Sequence, residues 1–337
     1  MPTSLAANAN VALYASMIVY TLAMLAFTWH VAARAPKVAE SKVAAESSVA
    51  ERALVGAGAG SGAPVSAERR SPTTYAAGPG FEESLRSRQR GSIALMLTYL
   101  ATALLVASVL MRGIAVSRPP WGNMFEFATA ASAAVGVAYS ALARRNRWEW
   151  LGVFIVTPIL LVLGLSLAVL YTEAGELMPA LKSYWLGIHV SVAFLAVAFF
   201  TLAFAVGLLY LVRVRREEKP PARPGFMESL PSAAALERTA YSLNMVGFIL
   251  WTFTLIAGAI WAKQAWGAYW QWDPKEVWTF VIWTVYAAYM HGRATAGVDP
   301  RKSMYIALAG YAAVIINFTL VNLVSTFVGM HNYSGMS

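Results

Sequence analysis

The chain has 337 residues, of which 58% are apolar and only 13% charged, and it carries a formal net charge of +9. A soluble domain does not tolerate apolar runs on that scale, so the composition points to a polytopic membrane protein. The absence of cysteine excludes disulfides, thiol shuttling, iron–sulfur clusters and thiolate zinc sites.

Windows of about 20 mainly apolar residues, enough to cross about 30 Å of hydrocarbon, fall near 10–30, 92–115, 124–143, 150–171, 185–212, 243–262, 276–292 and 303–327. The expected fold is therefore all-α, an integral membrane protein with about eight transmembrane helices. No Lys or Arg precedes Arg34, so residues 1–34 read as a retained first transmembrane helix and not as a signal peptide. Residues 35–90, rich in Ala, Gly, Ser, Glu and Arg, bury too little apolar surface to offset their ordering and are expected to form a cytoplasmic disordered linker. Residues 91–335 then make one membrane domain. Within it, the prolines of 213–240 suggest a stiff connection ending in a short surface helix near Ala233–Arg238.

Orientation follows from the cations. With the N-terminus outside, the inner segments 31–90, 144–149, 213–240 and 292–302 hold 21 of the 26 Lys and Arg, leaving Arg112, Arg118, Lys182, Lys263 and Lys275 for the other face. The positive-inside rule then puts both termini outside. Topology accounts for the net charge, and no aromatic-interleaved basic patch calls for nucleic acid.

Between spans two and three, on the outer face, lies Arg118-Pro-Pro-Trp121-Gly-Asn123-Met-Phe-Glu126-Phe127. Asn123 suits a helix N-cap, and Glu126 is an acid at the membrane boundary, either a helix-start carboxylate or part of a site. Span five opens at its outer end with His189. Between spans six and seven, also outside, comes Trp266-Gly-Ala-Tyr-Trp270-Gln-Trp272-Asp273-Pro274-Lys275-Glu276; six of the twelve tryptophans lie between Trp261 and Trp283. Anchoring tryptophans normally spread over many helix ends. Such concentration implies a platform for something flat and aromatic.

Asp273, Pro274 and Glu276 have the spacing of a capped helix start. Lys275 is not needed by the cap and is free to meet an anionic group such as a haem propionate. His331 follows span eight on the same outer face. Two histidines from separate helices can hold both axial positions of a haem iron, with the tryptophans supporting the porphyrin. Each histidine taken alone reads as an interfacial polar residue; the pair with the platform favours haem. His291 lies 17 residues after Pro274, about 26 Å deeper, on a face of small residues that either leaves room for a ligand or serves helix packing. His30 has a comparable depth on span one and is a possible partner for it.

The run Trp266-Gly-x-x-Trp270-x-Trp272-Asp273-Pro274-Lys275-Glu276, with Trp278 and Tyr289-Met-His291-Gly-Arg293, resembles the WWD signature of the cytochrome c biogenesis proteins called CcsA or ResC, the system II membrane component. The resemblance extends from the Pro-Trp-Gly-Asn-Met-Phe-Glu-Phe loop to Gly-Met-His331-Asn-Tyr. It implies that His189 and His331 ligate haem b at an outer site, beside Trp266, Trp270, Trp272, Lys275, Trp278, Asn123 and Glu126. His291 then belongs to an inner haem site completed by another part of a complex. Asn332 stands where serine is expected, which leaves ligation unaffected. The implied activity is delivery of haem across the bacterial cytoplasmic membrane and its covalent attachment to the Cys-x-x-Cys-His motif of apocytochrome c. The implied partners are a CcsB/ResB-type membrane protein with an external domain, the apocytochrome, and thiol-reducing proteins. Export of haem without ligation is the competing reading.

Overall fold

The computed structural model describes residues 2–58, 79–173, 183–219, 226–295 and 298–323, with side chains from Ser4 to Ala32 and from Gln89 onward, residues 228–229 excepted. All regular elements among them are helical. These are α1 (Pro2–Gly58), α2 (Pro79–Ala115), α3 (Met124–Asn146), α4 (Gly152–Val169), α5 (Tyr184–Glu218), α6 (Ala233–Trp266), α7 (Pro274–Ala294), α8 (Pro300–Phe318) and the single turn α9 (Leu320–Leu323), with 3₁₀ turns at Glu149–Leu151 and Phe226–Ser229.

Among the described residues, seven helices are long and apolar enough to cross a membrane. The eighth expected crossing corresponds to α7, whose 21 residues reach about 30 Å but include Lys275, Glu276, His291 and Arg293. The protein covers most of the apolar stretch of α3 and α5 but only a minority of that of α1, α4 and α6. On α1, Leu13, Tyr20 and Phe27 are buried, whereas Val11, Ile18 and Leu25 are 57–64% exposed. Large apolar side chains so exposed on a helix with every backbone group internally bonded suit hydrocarbon as solvent.

Two groups of four helices result. In the first, α1 packs on α2 and α4, and α3 on α2 and α4; in the second, α5 packs on α6 and α8, and α7 on α6 and α8. Contact between α3 and α5 joins them. Small residues and short polar bridges make the close packing possible: the Tyr20 hydroxyl lies 2.8 Å from Thr102 Oγ1, in a space left by Gly136.

Two expectations about connections are revised. Over residues 35–58 the backbone continues α1, and over 79–90 it forms the start of α2, where an irregular linker was expected; the first stretch is in keeping with the strong helix formers of Ala39-Glu-Ser-Lys-Val-Ala-Ala-Glu46. Residues 59–78 of that linker lie outside the described residues. The short helix expected near Ala233–Arg238 is the first two turns of α6, which Ser232 caps by accepting from the Ala235 N–H at 3.4 Å.

Candidate functional site

The tryptophan segment is shaped by a helix stop and a helix start six residues apart. α6 ends at Gly267, whose φ of +80° suits a left-handed cap and whose N–H donates to the Lys263 carbonyl at 3.1 Å. α7 starts at the capping box: Asp273 Oδ1 accepts from the Lys275 N–H at 2.9 Å, and Glu276 Oε2 accepts from the Asp273 N–H at 3.2 Å. Glu276 Oε2 also takes the Gln271 N–H at 2.8 Å. These bonds flank Trp272 and hold it at φ +59°, a rare conformation for a bulky side chain. Asp273→Asn retains an N-cap acceptor and should be nearly tolerated, while Asp273→Ala should cost about 0.5–2 kcal/mol of local helix stability. Normal accumulation of both variants with equal loss of activity would instead assign Asp273 a charge-dependent role.

Beneath this segment lies an open pocket, whose empty space counted together with its mouth is about 790 Å³. Its walls come from five helices and the segment itself: Phe127 of α3, His189 of α5, Trp251 and Trp261 of α6, Tyr269 and Trp270, Lys275 and Glu276 of α7, and Asn317 and Phe318 of α8. His189 stacks on Trp261 with ring centroids 6.2 Å apart and an interplanar angle of 14°. Its Nδ1 lies 2.9 Å from the Thr254 carbonyl. A carbonyl only accepts, so Nδ1 carries a proton, and in the neutral ring Nε2 then holds the lone pair, the tautomer of a metal-ligating imidazole.

The opposite wall is polar. Lys275 Nζ donates to the Asn317 carbonyl at 3.0 Å and lies 5.1 Å from the Phe318 ring centroid, leaving two ammonium protons for other acceptors. Thr279 spends its hydroxyl proton on the Lys275 carbonyl at 2.7 Å and therefore accepts from Asn317 Nδ2 at 3.3 Å. That fixes the Asn317 amide. Its Oδ1, like Glu276 Oε1, is buried and takes no hydrogen bond among the described residues, so this wall is prepared for donors from water or a ligand.

The expected site residues divide accordingly. His189, Trp270 and Lys275 meet in the pocket. Trp266 stands edge-on behind Trp261 at 4.7 Å, Trp272 is 77% exposed, and Trp278 packs against the core. Trp251 and Trp261 supply the walls in their place. Asn123 caps α3, accepting from the Glu126 N–H at 2.9 Å. Glu126 is fully buried and accepts from Arg112 Nε at 3.0 Å, from both Arg118 amines at 2.7 and 3.1 Å, and from the Gly122 N–H at 2.7 Å. Asn123 and Glu126 therefore lock the loop whose next residue, Phe127, reaches the pocket. His291 is exposed in the last turn of α7. His30 is buried beside Gly91 in the first helix group, whereas His291 belongs to the second. His331 lies outside the described residues. Among those described, no group of three His, Cys, Asp or Glu residues gathers to hold a bare metal ion.

Residues 121–329 match the family described as cytochrome c assembly protein, which is more than half of the chain. The chain belongs to this cytochrome c assembly family. All pocket walls lie within the matched residues, and α1 and α2 lie outside them. Among its relatives, the cytochrome c biogenesis protein CcsA of Guillardia theta is 35% identical over 201 residues, 54% of this chain and 66% of that protein. CcsA of Gloeobacter violaceus is 31% identical over 294 residues, 70% of this chain and 85% of that protein. CcsA of Thermosynechococcus vestitus is 34% identical over 204 residues, 50% of this chain and 63% of that protein. Trp251, outside the Trp-rich run, was missed as a pocket wall in the sequence, whereas Trp261 opens that run; both sit on α6. Their spacing of ten residues with Thr254 and Gly258 between them, i, i+3, i+7, i+10, is the signal of one helix face.

Proposed function

We propose that this chain acts in cytochrome c maturation, carrying haem b across the bacterial cytoplasmic membrane and presenting it for covalent attachment to apocytochrome c. It does so within a system II synthase that includes a CcsB/ResB-type partner. The observation that carries this reading is the His189 imidazole, held as its Nδ1–H tautomer on the wall of an aromatic pocket.

Haem is the cargo. His189 Nε2 and His331 supply its two axial nitrogens at the outer face, and the apocytochrome's own histidine later replaces one of them. Trp251, Trp261 and Trp270 offer flat apolar contact, and Lys275 neutralises a propionate. Each thioether forms by addition of a cysteine S–H across a vinyl C=C: the sulfur–carbon bond forms at one carbon and the proton goes to the other, with no net oxidation. The chain contributes binding and orientation, and the reactive groups belong to haem and thiol. Both thiols must arrive reduced. Because this chain has no cysteine, the thiol-reducing proteins must be separate.

Purified with its partner and given reduced haem and a Cys-x-x-Cys-His peptide, the wild-type chain should yield haem that resists acid extraction from the peptide. His189→Ala should reduce that yield to background. Haem that stays extractable throughout would leave export without ligation, and an unimpaired His189→Ala would remove His189 from the site.

A further inference from the structure

His189 is held from below as well as from the side. In α6, continuous from Ala233 to Trp266, the Thr254 carbonyl faces the Gly258 N–H four residues on, as in any α-helix. A carbonyl has two lone pairs, and the second takes the His189 Nδ1–H at 2.9 Å. The imidazole reaches that carbonyl only because position 258 lacks a side chain. A Cβ at Gly258 would lie 2.7 Å from His189 Cε1 and 2.9 Å from Nδ1, with Nε2 farther off at 3.5 Å. The Thr254 hydroxyl plays no part in this bond, since it donates to the Leu250 carbonyl at 3.0 Å. Trp261, one turn beyond Gly258, closes the seat by stacking on the ring.

We propose that the Thr254 carbonyl and the bare face of Gly258 form a seat that fixes the tautomer and position of the His189 imidazole, making Gly258 a positioning residue for iron ligation. This rests on His189 being an axial ligand. A hydrogen bond to the far nitrogen of a ligating histidine raises its basicity, and losing such a partner typically lowers metal affinity 10- to 100-fold. Glycine here serves a ligand's second nitrogen, where simple helix packing would require nothing of the ring's hydrogen bonding.

The test uses the full chain with its CcsB/ResB-type partner and the variant His189→Gly, which makes room for added imidazoles. The readout is the low-spin absorbance of bound haem, titrated with imidazole, 4-methylimidazole and 1-methylimidazole. The first two coordinate iron and keep a ring N–H for the carbonyl; the third coordinates but has none. Imidazole and 4-methylimidazole should reach half restoration at about tenfold lower concentration than 1-methylimidazole, and adding Gly258→Ala should abolish that advantage. Each ratio is taken within one variant, so differences in protein yield cancel, and His189→Ala can bear the same comparison. Equal potency of all three ligands, or an advantage that survives Gly258→Ala, overturns the seat while leaving His189 a ligand. Restoration by none of them overturns the ligand assignment itself, and the seat with it.

Discussion

Glu126→Ala is expected to destabilise the protein by about 3–5 kcal/mol, the usual consequence of removing one partner from a buried ion pair. The side chains of Arg112 and Arg118 are 7% and 9% exposed, and Glu126 is fully enclosed between them. Alanine would remove the carboxylate that both guanidinium groups share and leave the Gly122 N–H without that acceptor. Arg112 retains its bond to the Thr172 carbonyl and contact with the Phe125 ring, which hold its geometry but do not neutralise it. The effect should therefore appear as poor accumulation in the membrane and a lowered thermal aggregation temperature in detergent. Glu126→Gln keeps the shape and some hydrogen bonds, so its loss should be smaller. Haem content per folded molecule should change little in either variant. A Glu126→Gln protein of unaltered thermal stability that has lost its outer haem would contradict this assignment and return Glu126 to the binding site.

The sequence made the fold legible because hydrocarbon imposes a simple code: apolar windows of fixed length and a charge bias between faces. Seven of the eight expected crossings have the length and apolarity of spans, and the eighth is present as α7. The caps of α3 and α7 were equally legible, since Asn123 and Asp273 act through bonds to residues two or three positions away. What sequence reasoning could not place were contacts between helices. Arg112 and Arg118 were two of only five cations assigned to the outer face, yet nothing local says that both converge on Glu126. Local density of tryptophan also misled in part, because Trp272 and Trp266 share the motif but not the pocket, whereas Trp251 reaches it from deeper on α6 through its ring and bonds the Thr279 carbonyl at 3.1 Å. The Thr254 carbonyl has no sequence signature at all.

On the proposal that His291 holds an inner haem on the way to the outer site, His291→Ala should lower haem at both positions, while His189→Ala should spare or even increase the inner haem. The asymmetry follows from where each histidine stands. On α7, Phe280, Thr284, Ala288 and His291 recur at helical spacing and are all exposed, so His291 ends a face turned away from the bundle, toward lipid or a partner subunit. Among the described residues, the interior below the pocket is closely packed. Below the pocket, Trp251, Phe200, Tyr286 and Tyr289 are essentially inaccessible, and Phe200 stacks on Tyr286 at 3.8 Å and 7°. Gly247 and Gly310 let these rings sit against neighbouring backbone, and a Cβ at either position would approach them within 3 Å. Cargo moving between the two positions would therefore follow the open face of α7 and meet His291 before His189. Haem quantification and absorbance spectra of each purified variant, with its partner and at native haem supply, measure the order directly. A full complement of outer haem in His291→Ala would make that histidine structural and require an entry route elsewhere in the complex.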